Sequence, residues 1–166
     1  MHWGPEYSFN PSDIQKRQAK YLADLGVDII FGNHTHCIQP VEWIDDTLVV
    51  YSMGNFISNQ IQLFATRGFK GVIGAFVMGD IVKTVNEDKT SEIRIENVGV
   101  DLTYNYKNPA KRMYKIVQFS KINSNFFDNY LNKSNYKKVY EQYKDVIQKL
   151  DPNIYVYPLP EEEPTE

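Results

Sequence analysis

The stretch VDIIFGNHTH, residues 27–36, decides how this sequence is interpreted. Its first five residues are mainly apolar and predict a short buried strand, and the glycine that follows predicts a turn. His34 and His36 come directly after that turn, with one residue between them. Because ligands of parallel α/β sheets bind beyond the carboxyl ends of the strands, we expect both imidazoles at a functional edge of the sheet.

The chain has three histidines. The third one, His2, lies in the glycine-containing stretch HWGPEY at residues 2–7. Neutral imidazole is a common ligand for Zn, Mn and Fe, so we predict that His2, His34 and His36 bind a divalent metal. The alternative for a His-x-His pair is a solvated turn. Cys37 follows His36, but adjacent residues of an extended segment point to opposite faces, which favours a packed thiol over a ligand.

Several blocks of residues together resemble the bacterial capsule synthesis proteins of the CapA (PgsA) type. They are HWGPEY at 2–7, Pro11, Gln15, GVDII at 26–30, GNHTH at 32–36, YSMGNF at 51–56 and Gln60. The blocks follow the order of that family at compatible spacings. Thr35 stands where most of these relatives have proline between the histidines, and the ligand spacing is kept. The resemblance implies the calcineurin-like metallophosphoesterase fold and a role in making or assembling poly-γ-glutamate.

The resemblance also implies the place of this chain in the fold. It predicts an α/β chain with a mixed sheet that forms the C-terminal half of a four-layer α/β/β/α sandwich. The family's earlier loops, which carry carboxylates and an Asn, would precede His2, and Met1 would be an internal start. We expect residues 1–150 to form this half-domain and residues 151–166 to be a mobile, acidic, proline-rich tail.

By the same resemblance, the intact protein would hold two divalent ions. His2 and His34 would share one ion, and His36 would bind the other with carboxylates of the missing half. His34, His36 and Asn55 are the expected catalytic residues. Glu6 is expected to orient a ligand imidazole, or else to be a surface carboxylate, and Asn55 contacts substrate or caps its turn. Trp3 and Phe56 are read as packing residues rather than substrate platforms.

The hydrophobic pattern predicts the elements around the site. Asn10 and Pro11 predict the start of a helix that ends before Gly26. Its expected buried face is Ile14, Gln18, Tyr21, Leu22 and Leu25. Strands are predicted at residues 27–31, 41–44, 47–52, 68–84, 91–106 and 115–119, the last three as an antiparallel meander with a register slip near Gly99. Residues 125–150 predict one helix or two, broken near 132–135, with an apolar stripe of Val139, Tyr143, Val146, Ile147 and Leu150.

Composition limits the functional classes. A net charge of −3 gives no global basic field for nucleic acid, and 42% hydrophobic residues suffice for a core. The expected partners are the missing N-terminal half, capsule synthesis membrane proteins, and poly-γ-glutamate or a phosphorylated substrate. By resemblance, the protein is expected on the extracytoplasmic face of the membrane, anchored by an N-terminal segment. Uncovered sheet surface and a strand edge beside residues 27–31 predict a homo-oligomer.

Three functional hypotheses remain open from the sequence. The first is a metal-dependent hydrolase of a phosphorylated or polymeric substrate, with little activity from this chain alone. The second is a non-catalytic assembly or export component of the capsule machinery. The third is a binding module whose histidines are ordinary core or turn residues.

Overall fold

The computed structural model describes residues 1–108 and 110–161. The helices are α1 (Asp13–Asp24), α2 (Phe64–Arg67) and α3 (Tyr136–Ile147). The strands are β1 (Ile29–Phe31), β2 (Val41–Ile44), β3 (Thr47–Val50), β4 (Ile73–Val85), β5 (Ser91–Asn108), β6 (Met113–Gln118) and β7 (Tyr155–Val156). Short 3₁₀ turns flank α2 and follow β6. The α/β class predicted from the sequence is therefore confirmed.

The strands form two sheets. The first has the order β1-β3-β2, with β1 parallel and β2 antiparallel to β3. The second sheet has the order β4-β5-β6, which confirms the predicted meander. The short strand β7 pairs in parallel with β5 at Gly99 and Val100. The register shifts between Met78 and Asp80, opposite Gly99 and Glu96, which confirms a slip close to Gly99.

The core lies between the two sheets. Leu48 and Val50 of β3 point into it with Ile73, Val100 and Leu102 of the second sheet. The alternate residues of β3 and its extension point the other way and pack with α1: Val49 and Tyr51 contact a cluster that includes Ala19, Ile30 and Trp3. Because successive side chains of a strand point to opposite faces, β3 contributes residues both to the core between the sheets and to the layer that packs on α1. α3 adds Val139, Tyr143 and Ile147 to the core between the sheets, as the apolar stripe predicted.

The predicted buried face of α1 is wrong except at Leu22, which is partly buried and packs on the cluster of Trp3 and Ala19. Ile14, Tyr21 and Leu25 are exposed, whereas Gln15 and Ala19 are fully buried. The helix begins after Ser12, not Asn10, because Ser12 and Gln15 form a reciprocal capping box. The buried Gln15 amide donates to Gln39 Oε1 over 2.8 Å, which fixes the rotation of the helix. A polar contact therefore overrides the apolar pattern here.

Two other expectations need correction. Of the one or two helices expected over residues 125–150, only the second forms: α3 begins at Tyr136, directly after the predicted break at 132–135, and the asparagine-rich stretch before it forms turns. The tail expected to be mobile from residue 151 contains β7, and Ile154 and Val156 are buried. Apolar side chains in this segment pack on the core despite its prolines and acidic residues. Residues 162–166 lie outside the described residues.

One surface of the molecule is apolar and open. β1 is an edge strand, and a groove of about 290 Å³ lies beside it, lined by Ile29, Phe31, Leu48, Val77, Met78, Gly79, Ile81 and Ile95. The hairpin of β4 and β5 extends past this groove with Ile81 67% exposed. None of the helices in the described ranges combines the length and the apolar character needed to span a membrane.

Candidate metal centre

Two loops form the site, and backbone hydrogen bonds hold them together. Residues 1–3 lie parallel to the segment after β1: the Asn33 amide donates to the carbonyl of Met1 and the Trp3 amide donates to that of Asn33. The Tyr7 amide then donates to the carbonyl of Thr35. This pairing brings His2 beside His34, with ring centroids 4.1 Å apart.

The tight approach of these loops depends on Gly32. A Cβ atom at this position would lie 2.2 Å from the Tyr51 carbonyl oxygen and 2.3 Å from Trp3 Nε1. Trp3 Nε1 donates to that same carbonyl over 2.8 Å. The indole is therefore buried beneath residues 32–36, which we call the histidine loop. Trp3 is therefore a packing residue, as the sequence predicted.

The histidine loop has an unusual backbone. His34 has a φ of 108° and His36 a φ of 57°, both in the region that non-glycine residues rarely adopt. Thr35 between them is fully buried, and its hydroxyl donates to the Cys37 carbonyl and lies 2.9 Å from Ser52 Oγ. Burial of Thr35 turns both flanking imidazoles to the partly exposed side. Strained positive φ values of this kind cluster at functional sites, where the surrounding structure sustains them.

Asn55 fixes the orientation of the His36 ring. Its Nδ2 donates to the Gly71 carbonyl over 2.9 Å, which assigns Oδ1 as the acceptor that faces His36 Nδ1 at 2.9 Å. His36 therefore carries its proton on Nδ1, and the lone pair of Nε2 is left for another partner. A hydrogen bond on the remote nitrogen is the arrangement found for metal-binding histidines.

Glu6 lies on the opposite side of the same ring. Its Oε1 is 4.0 Å from His36 Nε2, longer than a hydrogen bond, and both side chains are partly exposed. The orienting contact expected of Glu6 is thus made by Asn55. Glu6 instead places a carboxylate near the nitrogen that Asn55 leaves available.

The donor chemistry fits a metal ion in part. With a metal–nitrogen bond of about 2.1 Å and a ring nitrogen about 1.1 Å from its centroid, two imidazoles on one ion have centroids within about 6.4 Å. The 4.1 Å separation of His2 and His34 is below this limit, whereas the 6.4 Å separation of His34 and His36 would require their two nitrogens to lie on opposite sides of one ion, wider than the tetrahedral arrangement of zinc allows. Among residues 1–108 and 110–161, no group of three His, Cys, Asp or Glu side chains is placed to hold one ion. The roles of His2, His34 and His36 as ligands stay a prediction.

Cys37 has no access to the site. Its side chain is fully buried, and the thiol lies 3.3 Å from the Ser8 carbonyl oxygen. Burial raises the pKa of Cys37 to about 11, so the thiolate that binds metals is disfavoured. The packed thiol predicted from the sequence is confirmed. Phe56, by contrast, is 63% exposed and is therefore not a buried packing residue; its ring centroid lies 5.8 Å from that of the partly buried Phe76.

No role could be predicted for Tyr7 or Gln60 from the sequence, and the structure places both at the site. The Tyr7 ring stacks on His36 with centroids 5.7 Å apart, and its hydroxyl donates to Gln60 Oε1. Arg67 lies over the same ring, with Cζ 4.0 Å from the centroid. No local sequence pattern connects positions 7, 36, 60 and 67, because only the folded chain brings them together.

The first part of the chain is similar to known proteins. Residues 1–60 match the family described as bacterial capsule synthesis protein PGA_cap. Over 59 residues the chain is 44% identical to the PGA biosynthesis protein CapA of Bacillus subtilis (strain 168) and 42% identical to the capsule biosynthesis protein CapA of Bacillus anthracis. No solved structure gives a significant match.

These matches cover a small share of the relatives. The aligned segment is 36% of this chain, 16% of the Bacillus subtilis protein and 14% of the Bacillus anthracis protein. The family match over residues 1–60 contains His34, His36, Glu6 and Asn55, and it ends before Arg67. The site therefore combines residues of the matched segment with residues that follow it.

Proposed function

We propose that this chain is part of a poly-γ-glutamate capsule biosynthesis protein with a metal-dependent hydrolytic site, because residues 1–60 match the bacterial capsule synthesis family and are similar to two CapA proteins. The site comprises His2, His34 and His36, with Asn55 as the residue that orients His36. Its reaction is hydrolysis of a phosphoester or a related bond in the intact protein.

The observation that carries this proposal is the backbone conformation of His36 together with the hydrogen bond that its ring makes. His36 has a left-handed backbone conformation, and its Nδ1 atom is hydrogen-bonded to Asn55 Oδ1. A histidine that only caps a turn needs neither feature. Both are understandable if Nε2 must face a fixed point beside His34 and His2. Divalent ions at this point, Zn, Mn or Fe, would activate water and stabilise the charge that develops on the substrate.

The other proposed properties follow from the family. We place the intact protein at the extracytoplasmic face of the cell membrane, with other capsule synthesis proteins as partners. Two metal ions in the intact protein would take further ligands from polypeptide beyond the described residues. His34 and His36, with Asn55, would then contact the substrate or its metal ions.

A hydrolysis assay tests the proposal. The intact protein that contains this sequence is assayed for metal-dependent cleavage of bis(p-nitrophenyl) phosphate, and His34→Ala is compared with the exposed-turn variant Asp46→Asn. We expect about 10²-fold or greater loss in His34→Ala, because electrostatic stabilisation of the transition state depends on the metal. Equal activity in both variants would contradict a metal-dependent site at His34.

The second candidate function is a non-catalytic assembly component. The absence of a three-residue metal group among residues 1–108 and 110–161 favours it. Complementation in a poly-γ-glutamate-producing host separates the two functions. Polymer production that survives His34→Ala supports the assembly role, and its loss supports the catalytic role.

A further inference from the structure

We propose that Arg67 is the anion-recognition residue of this site and that the group it binds is an oxyanion of the substrate. The inference deepens the proposed function, on which it rests for the identity of the site. It concerns a residue beyond the segment that matches the capsule synthesis family. The structural basis is a stack of three side chains, Arg67, Tyr7 and His36.

Tyr7 connects the arginine to the histidine. Arg67 Cζ lies 4.0 Å from the Tyr7 ring centroid, which is a cation–π distance, and the same ring stacks on His36 at 5.7 Å. Tyr7 has a φ of 56° and is held at three points: its amide donates to Thr35, its hydroxyl to Gln60, and its carbonyl accepts from Lys70 Nζ. The ring is therefore a fixed platform that positions the guanidinium next to the metal-ligand candidate.

The segment that carries Arg67, residues 60–71, also contacts the site through its first and last residues. Gly71 has no side chain, which leaves room for Gln60: a Cβ atom at position 71 would lie 2.3 Å from Gln60 Oε1. This oxygen is the atom that accepts the hydrogen bond from the Tyr7 hydroxyl. The Gly71 carbonyl accepts from Asn55, which holds His36. One short segment, residues 60–71, thus contacts both Tyr7 and Asn55. Its geometry is coupled to that of the histidine loop.

Among residues 1–108 and 110–161, no carboxylate is paired with the Arg67 guanidinium. In this part of the chain the Arg67 side chain also donates no hydrogen bond, and its guanidinium lies over the Tyr7 ring. The residue is exposed at the rim of the site. Its planar fork of N–H groups matches carboxylate and phosphate oxygens, which it binds through two parallel hydrogen bonds. Both anion types belong to the substrates expected for this site.

Binding of two probes tests the inference and distinguishes the source of the oxyanion. The probes are an oligomer of γ-glutamate, which has carboxylates only, and inorganic phosphate, each titrated calorimetrically into the purified chain at fixed ionic strength. Arg67→Gln is compared with Arg94→Gln, which removes an equal charge from the distant exposed hairpin. Arg67→Lys keeps the charge without the fork. Circular dichroism confirms that each variant is folded.

We expect at least one probe to bind, and its affinity to fall about tenfold or more in Arg67→Gln, less in Arg67→Lys and little in Arg94→Gln. Preference for the γ-glutamate oligomer assigns the polymer as the source, and preference for phosphate assigns a phosphorylated substrate. Equal losses in Arg67→Gln and Arg94→Gln, or no binding of either probe to the wild type, would overturn the inference.

Metal content separates this inference from the proposed function. If metal binding depends on His34 but probe affinity does not depend on Arg67, the anion role fails and the metal site stands. If Arg67→Gln lowers probe affinity in a chain whose metal content does not respond to His34→Ala, the anion role stands and the metal-dependent function fails.

Discussion

Asn55 and His36, 19 positions apart in the chain, face each other with Oδ1 and Nδ1 separated by 2.9 Å. The relationship is directional because the amide nitrogen of Asn55 is engaged by the Gly71 carbonyl. It selects one tautomer of the neutral His36 ring and leaves the other ring nitrogen 4.0 Å from Glu6 Oε1. One asparagine therefore determines which atom of His36 can act as a ligand.

Replacement of Asn55 tests this tautomer assignment. In the wild type we expect His36 to be protonated at Nδ1 when neutral, because Asn55 Oδ1 accepts that proton. In Asn55→Ala the ring is free to take either tautomer, so the Nδ1-protonated population falls. Nitrogen-15 chemical shifts of the imidazole ring measure both populations.

Asn59→Ala is the matched control, since that side chain accepts from Lys107 and Tyr114 and not from His36. An unchanged His36 tautomer in Asn55→Ala, or an equal change in Asn59→Ala, would show that Asn55 does not set the proton position.

Replacement of Gly32 tests the packing beneath the histidine loop. Gly32→Ala places a methyl group against the Tyr51 carbonyl and the Trp3 indole, so we expect the free energy of unfolding to fall by about 2–3 kcal/mol. Gly26→Ala is the comparison, because Gly26 has open space around it and only a positive φ, which predicts about 1 kcal/mol. Urea denaturation gives both values. A smaller loss in Gly32→Ala than in Gly26→Ala would contradict the packing described.

Several elements could be predicted from the sequence because their signals are local. Hydrophobic periodicity predicts a strand at residues 27–31, of which 29–31 form β1, and it also predicts the meander and the apolar stripe of α3. The histidine loop is predicted by its resemblance to the capsule synthesis family. The buried face of α1 could not be predicted, since the Gln15–Gln39 contact is a tertiary one. The same holds for the Arg67–Tyr7–His36 stack: each residue is unremarkable in its own segment. Site contacts between distant segments leave no local pattern.

Buried phenols predict a loss of stability at alkaline pH. Burial raises the pKa of Tyr51, Tyr104 and Tyr143 well above the ordinary value of 10.0, and that of Tyr140 to about 12. These groups stay protonated in the folded chain while the unfolded chain releases their protons. The phenols therefore leave the free energy of unfolding unaffected below about pH 9 and lower it from about pH 10 upwards.

Urea titrations at pH 8 and pH 10.5 measure this fall. In Tyr143→Phe the difference between the two pH values should shrink, because one group that ionises only on unfolding is gone. Tyr21→Phe, at a 64% exposed position, should leave the difference unchanged. A Tyr143→Phe difference equal to that of the wild type would contradict the role of burial at Tyr143.

The open groove beside β1 predicts self-association. Phe31, Met78 and Ile81 expose apolar surface next to an unpaired strand edge, and burial of about 500 Å² of such surface is worth on the order of 12 kcal/mol before association costs. We expect a second copy of the chain to cover this groove. Light scattering over a range of concentrations measures the mass.

Ile81→Lys should shift the chain towards monomer, whereas Ile57→Lys, at an exposed position away from the groove, should not. A wild-type chain that stays monomeric at high concentration would contradict the assigned surface.

Zinc binding by the purified chain tests the central claim, that the histidine loop is a metal site that needs further ligands. Equilibrium dialysis against Zn²⁺ with elemental analysis compares the wild type, His34→Ala and Asp46→Asn. We predict less than one ion per wild-type chain, the same content in Asp46→Asn and a lower content in His34→Ala. Two tightly bound ions per chain, or equal zinc in the wild type and His34→Ala, would contradict the account.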